Sequence, residues 1–213
     1  FFFKQKTAYE ISALFNIMTG YSAPPEKWKK IAVAPFDLKE KFISLIDRET
    51  RLSSPHNPGK IIAKMNSLVE PEIIEHIYKA AYAGVEVNLI VRGICCLKPG
   101  INTNNIKVIS IIDRFLEHSR IYYFANGGNP EYYLSSADWM PRNVYRRVEI
   151  LFPVEDEHTR KILDQILYFQ LNDKMKSRLL QASGVYSVAE NTPAFESFRS
   201  QKLTYEYLKK MGP

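Results

Sequence analysis

Three short stretches concentrate side chains that could handle an anion. Arg92 closes the apolar run VNLIVRG, and its guanidinium offers donors in a rigid fork that matches phosphate oxygens. Gly93 beside it would let a ligand approach the backbone closely. The same arginine could instead pair with a surface carboxylate. A second stretch, Arg114-Phe115-Leu116-Glu117-His118-Ser119-Arg120, places two cations and an imidazole at the entry to an aromatic run. Histidine can donate to phosphate, act as an acid or be phosphorylated, with Glu117 or Asp113 able to set its tautomer. The third stretch, LSSADWMPRNVYRRVE, adds hydroxyls, an indole and Arg142, Arg146 and Arg147. If RRVE is extended, neighbouring side chains alternate faces and one of Arg146 and Arg147 points to a pocket. A solvated basic rim is the alternative, and Trp139 is expected to plug the core.

Other chemistries lack their patterns. No HExxH, CxxC or clustered carboxylates announce a metal, no glycine-rich loop announces a nucleotide cradle, and NGGNP is a turn. His56, His76 and His158 read as surface residues. Adjacent Cys95 and Cys96 are badly placed to bridge each other, so a reduced, cytoplasmic setting is the simpler reading. No apolar run nears the roughly 18 residues of a membrane span, and no secretory leader opens the chain. The net charge of +6 favours polyanionic partners without choosing among them.

The elements that must position these groups read as α/β, a mixed sheet flanked by helices. IAVAPF is a short strand, and Asp37 opens a helix running to about Arg51. SSPHNPG is rich in turn-formers and is taken as a boundary. IIAKMN, the helix EPEIIEHIYKAAYAG and VEVNLIVRG form a βαβ unit with parallel strands and a right-handed crossover. IKVISII, SRIYYF, EYYLSS and RRVEILFP supply four more strands, with NGGNP as a hairpin turn. Helices over about 155–170 and 193–211 cover the sheet. In open α/β sheets ligands gather at the carboxyl ends of parallel strands, where Arg92 falls.

The opening FFFKQKTAYEI fits neither a helical nor a strand period and resembles a sequencing-library adapter read as codons. Residues 1–11 are therefore expected to be non-native, 12–55 to be the tail of a preceding unit, and 56–213 one domain.

Taken together, IIAKMNSLVEPEIIEHIYKAAYAGVEVNLIVRGICCLKPG, IKVISIIDRFLEHSRIYYFANGG and YYLSSADWMPRNVYRRVEILFPV resemble the final domain of bacterial polyphosphate kinases of the phospholipase-D-like type. The resemblance implies reversible transfer of the terminal phosphoryl group of ATP to polyphosphate through a phosphohistidine. It implies that Arg92 and His118, with Arg147 as a third, contact nucleotide phosphates. The phosphohistidine of a His-x-Lys pair, magnesium-associated arginines and an ATP-contacting tyrosine belong to the preceding domain, so no catalytic or metal residue is expected in this chain, and the piece alone is expected to be inactive. ATP, ADP and polyphosphate are the expected partners, Mg2+ the cofactor and a homo-oligomer the parent, with no nucleic acid. Two alternatives remain: half of a phospholipase-D-like phosphodiesterase, whose usual lysine is here Arg120, and a non-catalytic polyanion- or RNA-binding module.

Overall fold

The apolar runs become nine strands of one mixed sheet in the computed structural model, which describes residues 2–23, 25, 28–100, 104–188 and 198–211, with only the backbone for 2–7. They are β1 (Ala32–Ala34), β2 (Lys60–Met65), β3 (Glu86–Val91), β4 (Ile106–Ile111), β5 (Ile121–Phe124), β6 (Glu131–Ser135), β7 (Glu149–Pro153), β8 (Ser177–Leu180) and β9 (Tyr186–Val188). Their order is β1-β7-β6-β5-β2-β3-β4-β8-β9. The strands β2, β3 and β4 are parallel, and every other pairing is antiparallel. The carboxyl ends of β2, β3 and β4 therefore share one edge with the ends of β1 and β6 and the starts of β5 and β7. The expected βαβ unit is present with parallel strands, because a crossover helix is what returns a strand in the same direction.

Helices cover both faces. In α2 (Leu38–Leu52) the buried Leu38, Phe42, Leu45, Ile46 and Glu49 recur at helical spacing, and in α3 (Pro71–Tyr82) Ile73, Ile77 and Ala80 do the same. Pro71 fits the first turn of α3, where its missing N–H has no partner to lose. Both helices pack with Ile61, Ala63, Val87, Leu89, Tyr122 and Trp139 on one side of the sheet. Strand alternation sends Ile62, Ile90, Ile109 and Ile121 to the other side, where α5 (Glu157–Leu171) contributes Leu163 and Leu167. The remaining helices are α1 (Phe2–Met18), α4 (Pro141–Tyr145) and α6 (Ser200–Lys210), the last lying against α5.

Several expectations change. The opening residues continue into α1, whose carboxyl half is seated by Leu14 against Trp28, Ile31 and Val33 and by the Glu10 carboxylate, which accepts from the backbone N–H groups of Lys29, Lys30 and Ile31. Tertiary anchoring of that kind leaves no hydrophobic period to read. Asp37 stands at the start of α2 but caps nothing with its side chain, which accepts instead from the Val33 N–H at 2.7 Å. The segment 53–59 is a tight turn, and β1 and α2 before it share the sheet with the later strands and a core with β2, β3, α3 and β5. Packing is thus continuous across residue 55. His76 lies 2.5 Å from Asp47, tying α3 to α2 rather than pointing to solvent. The strands β8 and β9 and the short α4 were not expected; three to five residues carry too little periodicity to register. The final helix begins at Ser200, and the expected stretch 193–197 lies outside the described residues.

Candidate functional site

Arg92 is the first residue past β3. Its N–H donates to the Met65 carbonyl at 3.3 Å, and its own carbonyl accepts from Ser110 at 3.1 Å, so backbone contacts to β2 and β4 fix it. Among the described residues its half-buried guanidinium has no hydrogen-bond or ion-pair partner. A cation left unpaired there invites an anion. Gly93 has a different reason from the one expected. Its N–H donates to the Asn66 carbonyl at 2.8 Å, and an added Cβ would meet that same oxygen at 2.9 Å. The close approach is therefore made by the chain's own backbone.

Lys64, on β2, is 4 % exposed, and its amine donates to the hydroxyl and carbonyl of Ser119 at 3.0 and 3.2 Å. Burial lowers its pKa, Glu117 opposes that, and Arg92 and Arg120 add to it. Lys64 and Arg92 flank one small void of about 10 Å³ together with Ile90, Ile111 and Glu117, roughly the room for one water. A much larger cavity of about 500 Å³ lies between Asp113–Phe115 and α6, away from Arg92 and His118. The Arg92 guanidinium, unpaired among the described residues, marks the chemistry, not the cavity size.

His118 is exposed at the start of β5. The carboxylates expected to orient it are occupied elsewhere: Asp113 accepts from Arg199 at 2.5 and 2.7 Å, and Glu117 accepts from Gln170 at 2.9 Å. Its neighbour is Arg120 instead. Arg120 Nη1 donates to the His118 carbonyl at 2.9 Å and lies 3.0 Å from Nδ1, while Nη2 lies 3.4 Å from Nε2. The guanidinium is held from behind by Asp138, which accepts from Nε and Nη2, each at 3.1 Å. Asp138 is buried and also accepts from the N–H and side-chain amide of Asn66 at 2.7 and 3.2 Å.

Arg142, Arg146 and Arg147 are exposed and without side-chain partners among the described residues. The alternation argument fails because β7 begins at Glu149, leaving Arg146 and Arg147 in the turn after α4, where no strand period applies. Arg147 lies on the same sheet edge as His118 but two strands away, on the order of 10 Å. Trp139 is fully buried, stacked on Tyr122 with centroids 5.2 Å apart and edge-on to Phe42. His56 and His158 are exposed, away from this edge.

The structure thus brings Arg92 and His118 to one edge and places Lys64, Asn66, Arg120 and Asp138 around them. Lys64 carried a signal, a lysine inside an apolar strand. Asp138 carried none, because its partner is 18 residues away.

The family description "Polyphosphate kinase C-terminal domain 2" matches residues 31–201. The chain is 50 % identical over 189 residues to the polyphosphate kinase of Staphylococcus haemolyticus, covering 88 % of this chain and 26 % of the relative. To that of Halalkalibacterium halodurans it is 47 % identical, covering 88 % and 27 %. The chain spans about a quarter of the length of these curated relatives. The crystal structure of polyphosphate kinase from Porphyromonas gingivalis superimposes with a TM-score of 0.89 at 39 % identity, covering 94 % of this chain and 31 % of the other. Nuc from Salmonella typhimurium, a phospholipase D family member, gives 0.53 at 13 % identity, covering 71 % and 97 %, a likeness of fold alone.

Proposed function

Since this chain belongs to the polyphosphate kinase family, we propose that its sheet edge holds the phosphate chain of ATP or of polyphosphate while a longer protein transfers the terminal phosphoryl group between them. The observation that carries the proposal is the Arg92 guanidinium, unpaired among the described residues, at the carboxyl end of a parallel strand and beside the buried Lys64 amine. Phosphoryl transfer needs positioning and charge stabilisation more than covalent work by the protein, and fixed cations supply both. His118 acts here as a donor to phosphate oxygen, with Arg147 as a more distant cation on the same edge. The nucleophilic histidine of the reaction is assigned to the part of the longer relatives that this chain does not cover.

Magnesium fits this edge poorly. No group of three His, Cys, Asp or Glu residues among the described ones could hold a metal. The nearby carboxylates are engaged, Asp138 by Arg120 and Asn66, and Glu149 by Ser136 and Asn143. Any Mg2+ is therefore assigned to the nucleotide and to residues outside this chain. No described helix is long and apolar enough to cross a membrane; a cytoplasmic place, where ATP is plentiful, and an oligomeric parent belong to the same proposal.

Diester cleavage in the phospholipase D manner is the weaker reading, because Arg120, at the position of the usual lysine, is committed to Asp138. RNA binding lacks a stacking platform on β5, since Tyr122 and Phe124 are buried and Tyr123 packs on Tyr132. Calorimetry with ATP and tripolyphosphate tests the proposal. Arg92→Ala and His118→Ala should each weaken binding by about tenfold or more, as loss of a charge-assisted hydrogen bond does. Equal binding by both variants and the unmodified chain would remove these residues from the site.

A further inference from the structure

Arg120 lies between Asp138 and His118 and contacts both. We infer that Arg120 and Asp138 are positioning residues for His118, Asp138 fixing the Arg120 guanidinium and Arg120 fixing the imidazole. The side chains of Arg120 and Asp138 are 11 % and 5 % exposed, so the pair is shielded from the solvent that would loosen a surface ion pair. Contact through both Nε and Nη2 fixes the plane of the guanidinium, which a single contact would leave free to turn. Asp138 in turn is immobilised by two donors from Asn66, at the end of β2.

Nη1 meets both the His118 carbonyl and Nδ1, at 2.9 and 3.0 Å, and Nη2, which Asp138 holds, lies farther from the ring, 3.4 Å from Nε2. A guanidinium has only donors, and the shorter contact, to Nδ1, assigns that ring nitrogen as the acceptor. The proton of a neutral His118 then sits on Nε2, and the ring offers an Nε2–H donor to a phosphate oxygen. Lys64 holds the intervening Ser119 through its hydroxyl and carbonyl. Ser119 and Arg120 are thus held by groups on or next to β2 and β6, and His118 is held by Arg120.

The inference rests on the proposed phosphate contact of His118 for its purpose, but its first test needs no ligand. The side-chain 15N spectrum of the 213-residue chain should show His118 predominantly as the Nε2–H tautomer. Arg120→Lys, which keeps the charge and loses the fork, should move His118 toward a mixture of tautomers while His56, His76 and His158 keep their signals. Asp138→Asn should shift the same resonances. Unchanged His118 signals in folded Arg120→Lys would overturn the inference, and if that variant does not fold, Arg120→Gln is read in its place by the same criterion. Tripolyphosphate titration then separates the two ideas. If Arg120 acts through the imidazole, Arg120→Lys weakens binding by about tenfold and causes no further loss in a His118→Ala background. Independent, multiplying losses would make Arg120 a direct phosphate contact and overturn the positioning role. A chain with the expected tautomer behaviour but no tripolyphosphate-induced shift would retain this inference and sink the proposed function.

Discussion

The amine of Lys64 lies 3.0 Å from the hydroxyl of Ser119, so a side chain from within the parallel sheet holds the segment that carries His118. Charge and position conflict at that contact. The amine is nearly buried, and Ser119 is a neutral partner that offers no charge to balance it.

Lys64→Met tests that conflict. Burial puts the folded-state pKa below the unfolded value near 10.5. For a lowered pKa the stabilising contribution is present above the unfolded value and is lost as pH falls through the folded one. The charged amine therefore costs stability at neutral pH. We expect Lys64→Met to stay within about 1 kcal/mol of the parent at pH 7, since the amine's hydrogen-bond partner, Ser119, is neutral and exposed. As pH rises toward the unfolded value near 10.5, the urea midpoint of the parent should rise relative to the variant. A parallel pair of pH profiles would show that burial leaves the amine unperturbed.

Gly93→Ala forces a Cβ to within 2.9 Å of the Asn66 carbonyl, and backbone cannot swing aside as a long side chain can. Destabilisation of about 1 to 3 kcal/mol is expected, as in other overpacked sites. Tripolyphosphate affinity should fall with it, because the strain lies next to Arg92. Stability equal to the parent in urea unfolding would show that the β2 and β3 ends separate freely.

Asp113 and Arg199 join the His118 segment to the start of α6. The hydrogen bond from Arg199 is the main cause that lowers the Asp113 pKa below its ordinary 3.8. A lowered carboxylate pKa gives stability that is present above the unfolded value and lost as pH falls through the folded one. Backbone amide signals of α6 should therefore keep their dispersion down to about pH 4 and lose it below. Asp113→Asn should loosen α6 already at pH 7. Intact α6 signals in that variant would assign the helix to its aromatic contacts with α5 alone.

Trp139→Ala should cost about 3 to 5 kcal/mol, the usual range for a large aromatic removed from a core. The ring is fully buried between Tyr122 and Phe42 and seats the loop whose carbonyl accepts from Val69 and Glu70. A loss under 1 kcal/mol in urea unfolding would mean that the ring packs loosely.

The sequence by itself determined the α/β class, seven of the nine strands, the parallel βαβ unit and the presence of Arg92 and His118 at strand ends. These follow from local periods and turn-formers, and from the rule that parallel strands deliver their carboxyl ends to one edge. It also marked Arg147, whose neighbours it misplaced by reading a turn as strand. Only the tertiary structure decided what surrounds these residues. Asp138 reaches Arg120 across 18 residues and Asn66 across 72, and Arg199 reaches Asp113 across 86. No local pattern specifies such pairs, because each is set by which strands lie side by side. The same holds for Gly93, whose spacing to Asn66 exists only once β2 and β3 are paired. Periodicity fixes where a side chain sits along its own element, and the order of strands in the sheet fixes what it meets there.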